Sequence, residues 1–222
     1  GSADVLAALG APVECDAERV RLCLDRVGLA FCFAPHFHPA LKGVAALRRR
    51  LGVRTLFNCL GPLANPARAA YQLVGVGRPE LLDPLAGALA RLGTRRAFVV
   101  CGDDGLDEVS LSAPTQVREV RGGAVTAREW RPADFGLAPC SPEELRVAGP
   151  EESAAVVRRV LAGEDGPALR VVLANAAAAL LAAGRAASPA EGVAAARAAV
   201  RAGRARDVLA RLVACVAPTA RP

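Results

Sequence analysis

The stretch Arg96-Ala97-Phe98-Val99-Val100-Cys101-Gly102-Asp103-Asp104-Gly105-Leu106-Asp107-Glu108 passes from a short apolar run into a glycine-bearing acidic segment. Ala97 to Cys101 has the length of a buried strand. Upstream, Pro79 to Leu92 reads as a helix, with proline at its start and Gly93 at its end. Gln72 to Val76 reads as a second strand. Strand, helix and strand in that order make a βαβ unit, and therefore a parallel pair. Downstream, Val117 to Val120, a Gly122-Gly123 turn and Val125 to Trp130 predict an antiparallel hairpin inserted at the sheet edge. The expected fold is α/β: a mostly parallel central sheet flanked by helices, with that hairpin inserted.

The remainder reads as helical. Pro150 to Leu161, Pro167 to Ala183, Ser188 to Ala202 and Ala205 to Val216 are punctuated by Gly163, Gly166, Gly184 and Gly203. Near the start, Ala3 to Leu9 and Asp16 to Val27 predict short helices, the second with Asp16 as N-cap and Gly28 as C-cap. Leu29 to Phe33 reads as a strand. Ala40 to Leu51 carries a helical apolar stripe opposite a face of arginines, and Gly61-Pro62-Leu63-Ala64-Asn65-Pro66 is confined to loop or hinge geometry. Alanine-rich stretches near Ala176 to Ala179 and Ala194 to Ala199 read as close helix packing.

With 222 residues, 53% of them hydrophobic, the chain can bury a full-sized core. We expect one domain over 1–222, with 36–51 contributing to the remnant of a small helical domain. No apolar segment is long enough to span a bilayer and none reads as a signal sequence, so a soluble, cytoplasmic protein is expected. The seven cysteines form no C-x-x-C pair and read as reduced, structural thiols. A net charge of +6 raises nucleic acid as a partner, but Lys42 is the one lysine, the arginines are dispersed, and aromatic content is 4%, so that reading ranks low. The chain contains no methionine, which predicts that something upstream of Gly1 has been removed. By composition alone Gly1-Ser2 is as compatible with a tag remnant as with native residues.

Asp107 and Glu108 follow a strand's C-terminal end, where open parallel sheets place ligands. Hard carboxylate oxygens there suit Mg²⁺ accompanying a phosphorylated substrate, although acidic residues after glycine also occur in ordinary solvated turns. Arg48, Arg49 and Arg50 form the one basic cluster, and their spacing does not distinguish them. His36 and His38 with Cys32 would make a conceivable zinc site, but no second ligand pair accompanies them. Asn58 and Asn175 are compatible with buried, hydrogen-bonded structural amides.

Four stretches carry a family resemblance: Gly1-Ser2-Ala3-Asp4-Val5-Leu6; Phe33-Ala34-Pro35-His36-Phe37-His38-Pro39-Ala40; Gly52 through Asn58-Cys59-Leu60-Gly61-Pro62-Leu63-Ala64-Asn65-Pro66; and Asp104-Gly105-Leu106-Asp107-Glu108. Together with Asp134-Phe135-Gly136-Leu137 and Leu173 to Ala178, they make the chain resemble the C-terminal two-thirds of the anthranilate phosphoribosyltransferase family. The resemblance implies the C-terminal domain fold of nucleoside phosphorylases and phosphoribosyltransferases. It also implies transfer of phosphoribosyl from phosphoribosyl pyrophosphate to the amine of anthranilate, in tryptophan biosynthesis.

By that resemblance Asp107 and Glu108 hold Mg²⁺ against the diphosphate, helped by the hydroxyl of Ser2. Arg48 is implied to address the carboxylate of anthranilate, His38 to line the acceptor tunnel, and Gly61 and Pro62 to form its wall. The family's glycine-rich phosphate loop belongs before Gly1, whose register with the family favours native residues. The chain as given is therefore expected to be an inactive piece of a homodimeric parent. Two other readings remain: a non-catalytic relative that binds nucleic acid through its basic surface, and a relative of the pyrimidine nucleoside phosphorylases, whose acceptor-side pattern is not seen here.

Overall fold

The computed structural model describes residues 1–37, 61 and 63–215. In chain order the described elements are α1 (Ser2–Ala8), α2 (Ala17–Val27), α3 (Ala34–Phe37), β1 (Tyr71–Gly75), α4 (Leu82–Arg91, preceded by the 3₁₀ turn Pro79–Leu81), β2 (Arg96–Gly102), β3 (Thr115–Arg121), β4 (Ala124–Trp130), α5 (Pro150–Ala162), α6 (Pro167–Ala182), α7 (Pro189–Arg201) and α8 (Arg204–Cys215). They fall into two compact units, one of 1–61, 147–162 and 202–222, the other of 62–146 and 163–201.

Among its described residues the first unit is helical. The Asp16 side chain accepts the Arg19 N–H at 2.8 Å to start α2, and Gly28, at φ 82°, ends it in the left-handed conformation. Val20, Cys23 and Val27 of α2 recur on one face and pack with Ala11, Cys15 and Leu212. The described cysteines are all free, and burial pushes the Cys23 thiol up to about 11, with Cys215 adding to the rise. Cys15 and Cys23 serve as small apolar groups in this core. The segment from Leu29 to Phe33, expected as a strand, has no regular structure. A strand needs a neighbour for its N–H and C=O groups, and the described part of this unit holds only helices.

The second unit is built on a mixed sheet of order β1-β2-β3-β4. β1 and β2 are parallel, with Tyr71 opposite Arg96 and Gly75 opposite Val100. β2 then pairs antiparallel with β3, and β3 with β4, so among the described residues the hairpin extends the sheet directly from β2. β2 is buried along nearly its whole length. Leu82, Leu85, Ala86 and Leu89 form the buried stripe of α4, which packs against β2 and β3. Gly122 and Gly123, at φ 57° and 83°, supply the two left-handed residues of a two-residue hairpin turn. Trp130 ends β4 in edge-on contact with Phe98 at 4.9 Å and Phe135 at 5.7 Å. α6 packs against β1 and β2 and pairs closely with α7. No single described helix is long and apolar enough to cross a membrane.

Candidate active site

The acidic pair lies on the connection between β2 and β3, beyond the carboxyl ends of the parallel strands. The loop is anchored by main-chain hydrogen bonds on the approach to the pair. Gly102 N–H donates to the Leu106 carbonyl at 2.8 Å, Gly105 N–H to Gly102 at 2.9 Å, and Asp103 N–H to Pro114 at 2.9 Å. Gly105, at φ 84°, makes the reversal.

Asp104 holds this loop together from within. Its carboxylate accepts from the Ser110 hydroxyl at 2.7 Å, from the Ser112 hydroxyl, and from the Leu106 N–H at 3.2 Å. Loss of solvent alone would raise its carboxyl. The two serine hydroxyls and the amide outweigh that, leaving Asp104 below its ordinary value. Ser110 N–H is anchored on Thr115 Oγ1 at 3.0 Å. Gly102 makes the arrangement possible, since a Cβ there would stand 2.3 Å from Asp104 Oδ1.

Two further residues seat the loop on the fold. A Cβ on Gly75, the last residue of β1, would lie 1.5 Å from the Asp107 carbonyl oxygen, so only glycine lets the acidic loop close over that strand end. On the other side Asn175 of α6 accepts from the Val109 N–H at 2.9 Å and donates to the Val109 carbonyl at 3.1 Å. The expectation of a structural amide at Asn175 thus holds.

Against this framework Asp107 and Glu108 themselves are exposed, and neither carboxylate has a hydrogen-bond or ion-pair partner among the described residues. Loss of solvent around the Glu108 carboxyl raises it above its ordinary value, and the charge of Asp107 adds to the rise. Side by side, unpaired and repelling, the two are suited to a hard cation. Among the described residues no three His, Cys, Asp or Glu side chains form a metal cluster. Two carboxylates fit Mg²⁺, which commonly takes one or two protein carboxylates and completes its octahedron with water and substrate phosphate.

The remaining sequence-based candidates are spread more widely. Ser2 opens α1, exposed, in the first unit. Gly61 is exposed, with open space where a Cβ would be. His38, Arg48 and Pro62, together with Asn58 and the helix expected over 40–51, lie outside the described residues. His36 makes an edge contact with the Phe33 ring at 5.5 Å, a packing role. A cleft of about 520 Å³ opens near the start of β1 among Asn65, Arg68, Gln72, Leu92 and Thr94. It lies at the opposite end of that strand from the acidic pair and includes neither acid.

Residues 1–206 match the glycosyl transferase family, a/b domain. The chain belongs to this family. The curated anthranilate phosphoribosyltransferase of Thermomicrobium roseum is 52% identical to it over 215 residues, and that of Stenotrophomonas maltophilia 50% over 213, each match covering 96% of this chain and 62% of the relative. The solved anthranilate phosphoribosyltransferase of Thermus thermophilus superposes with a TM-score of 0.88 at 46% identity, over 97% of this chain and 64% of that one. The enzyme from Saccharomyces cerevisiae in complex with PRPP and Mg superposes with a TM-score of 0.87 at 28% identity, over 97% and 63%. The chain therefore spans about 62% of the length of the curated relatives it matches.

Proposed function

We propose that this chain is the metal-binding and acceptor-binding part of an anthranilate phosphoribosyltransferase, which moves the phosphoribosyl group of phosphoribosyl pyrophosphate to the amine of anthranilate and releases pyrophosphate. The observation that carries the reading is the pair of carboxylates, Asp107 and Glu108, without a partner among the described residues, on a loop anchored by hydrogen bonds before and after them. Support comes also from relatives of that activity at about half identity, one of whose structural counterparts holds PRPP and Mg.

In this reading Asp107 and Glu108 would hold Mg²⁺ at the diphosphate. Bound there, the cation supplies charge neutralisation for the departing pyrophosphate. The carboxylates act by orientation and take no covalent part. The rigid loop holds the diphosphate end still while the weakly nucleophilic amine approaches the anomeric carbon, and that positioning supplies much of the acceleration. Arg48 offers a planar fork to the anthranilate carboxylate, with His38, Gly61 and Pro62 alongside the ring.

The basic surface offers less to a nucleic acid than the net charge implies. Arg96 and Arg128 are paired with Glu119, Arg118 with Asp83, and Arg131 with Glu129. The test is pyrophosphate release from phosphoribosyl pyrophosphate and anthranilate, in protein carrying this chain at the length of its relatives. Asp107→Asn with Glu108→Gln is expected to lower magnesium-dependent turnover by about 100-fold or more, whereas Arg48→Ala chiefly raises the KM for anthranilate. Equal impairment towards both substrates in both variants would overturn the assignment.

A further inference from the structure

Two adjacent like charges with no partner among the described residues need something else to fix their direction. The residue immediately after them, Val109, is fully buried. Both of its main-chain polar groups go to one side chain: its N–H to Asn175 Oδ1 at 2.9 Å and its carbonyl to Asn175 Nδ2 at 3.1 Å. The carboxamide takes the place that a neighbouring strand would fill, making a single rung of sheet from a side chain 66 residues away. The orientation of the amide is locked in turn, because Nδ2 also donates to the Val171 carbonyl of its own helix at 3.1 Å. Helix α6 itself packs against β1 and β2, which fixes the helix that carries the amide.

We propose that Asn175 is the positioning residue of the acidic pair, holding Glu108 and Asp107 at a fixed direction from the rigid helix α6 so that they meet a divalent cation already aimed. The proposal rests on the reading of those two carboxylates as cation ligands. Only an asparagine satisfies the geometry. Aspartate lacks the donor for the Val109 carbonyl, glutamine is a methylene too long, and leucine has neither function. Asn175 touches no reacting atom. Its contribution is to spare the loop the loss of freedom that cation binding would otherwise demand.

The experiment compares Asn175→Ala with the unaltered full-length protein in half-saturating Mg²⁺, KM for anthranilate and turnover at saturating Mg²⁺. The expected result is a rise of about 10- to 100-fold in the Mg²⁺ requirement, the usual penalty for removing a group that orients a ligand, with KM for anthranilate unchanged within about twofold. Turnover is expected to recover as Mg²⁺ is raised. An unaltered Mg²⁺ requirement would overturn the proposal, as would equal loss towards Mg²⁺ and anthranilate that excess Mg²⁺ does not restore. Asp107→Asn with Glu108→Gln is the control. If it keeps its Mg²⁺ response, the reading of the acidic pair fails and the proposal falls with it; if that control loses the response while Asn175→Ala does not, the positioning role alone is refuted. Should Asn175→Ala not fold, paramagnetic Mn²⁺ added to the unaltered protein decides the matter. The Val109 amide and the Asn175 side-chain amide signals should broaden together, ahead of the Asn65 side-chain amide, and failure to do so would overturn the assignment.

Discussion

Glu119 and the pair Asp107 and Glu108 belong to the same sheet unit and use their carboxylates in opposite ways. Glu119, on β3, is buried and receives Arg96 at 2.9 Å and Arg128 at 2.6 Å, while Arg96 also donates to the Leu181 carbonyl and lies over the Phe98 ring. Every charge there is answered by another, and the cluster ties β2, β3, β4 and α6 together. In the acidic loop main-chain groups are answered instead, by Asp104, Thr115 and Asn175, with room made at Gly75, while the two carboxylates have no partner among the described residues. Satisfied charges hold a fold. Unsatisfied charges on a satisfied backbone are what a cation or a charged substrate can use.

Substitutions can break or sharpen this contrast. The largest effect is expected at Gly75→Ala, whose methyl would overlap the Asp107 carbonyl; the loop must lift or β1 must shift, at about 3 kcal/mol, the upper part of the usual overpacking range, read by urea unfolding. Next comes Glu119→Gln, which leaves two guanidinium groups poorly answered. It should cost about 1.5–3 kcal/mol by the same measurement while leaving the Mg²⁺ response intact.

Asp104→Asn should cost about 1 kcal/mol near neutral pH. The sign of its pH dependence follows from the lowered carboxyl of Asp104, which makes the ionised form favour the fold. That stability is present above the ordinary carboxylate range of about 4 and is lost as pH falls through the lower folded value, so the deficit of Asp104→Asn should shrink in acid. Glu108→Gln should run the other way and be smallest. Glu108 is raised, so its ionised form opposes folding at neutral pH; the glutamine should stabilise by up to about 0.5 kcal/mol, and thermal unfolding in acid, where glutamate is protonated in both states, should show no gain.

The fold was legible where a local rule had no rival. Pro79 and Gly93 bracket the helical region before β2, Asp16 and Gly28 cap α2 as their chemistry dictates, and Gly122-Gly123 makes the hairpin turn. Leu29 to Phe33 failed because an apolar run carries no information about whether a partner strand exists. In the candidate site, the acids stand out in the sequence because they are neighbours there. Their framework was not: Asn175 acts across 66 residues, and the reason for glycine at Gly75 is a backbone from another loop. The Asp104 network offered a faint signal, an aspartate between glycines with serines shortly after it, which is the composition of loops stitched by their own side chains.

Gly192 of α7 faces Ala177 of α6 so closely that a Cβ would come within 2.7 Å of the alanine methyl and 2.8 Å of its Cα. The runs of alanine and glycine here, the most monotonous text in the chain, thus encode a contact with no slack. Drift to a larger apolar residue at Gly192, harmless at the exposed Ala194 or Ala195 beside it, would wedge these helices apart, so within one monotonous stretch one position is fixed and its neighbours are free.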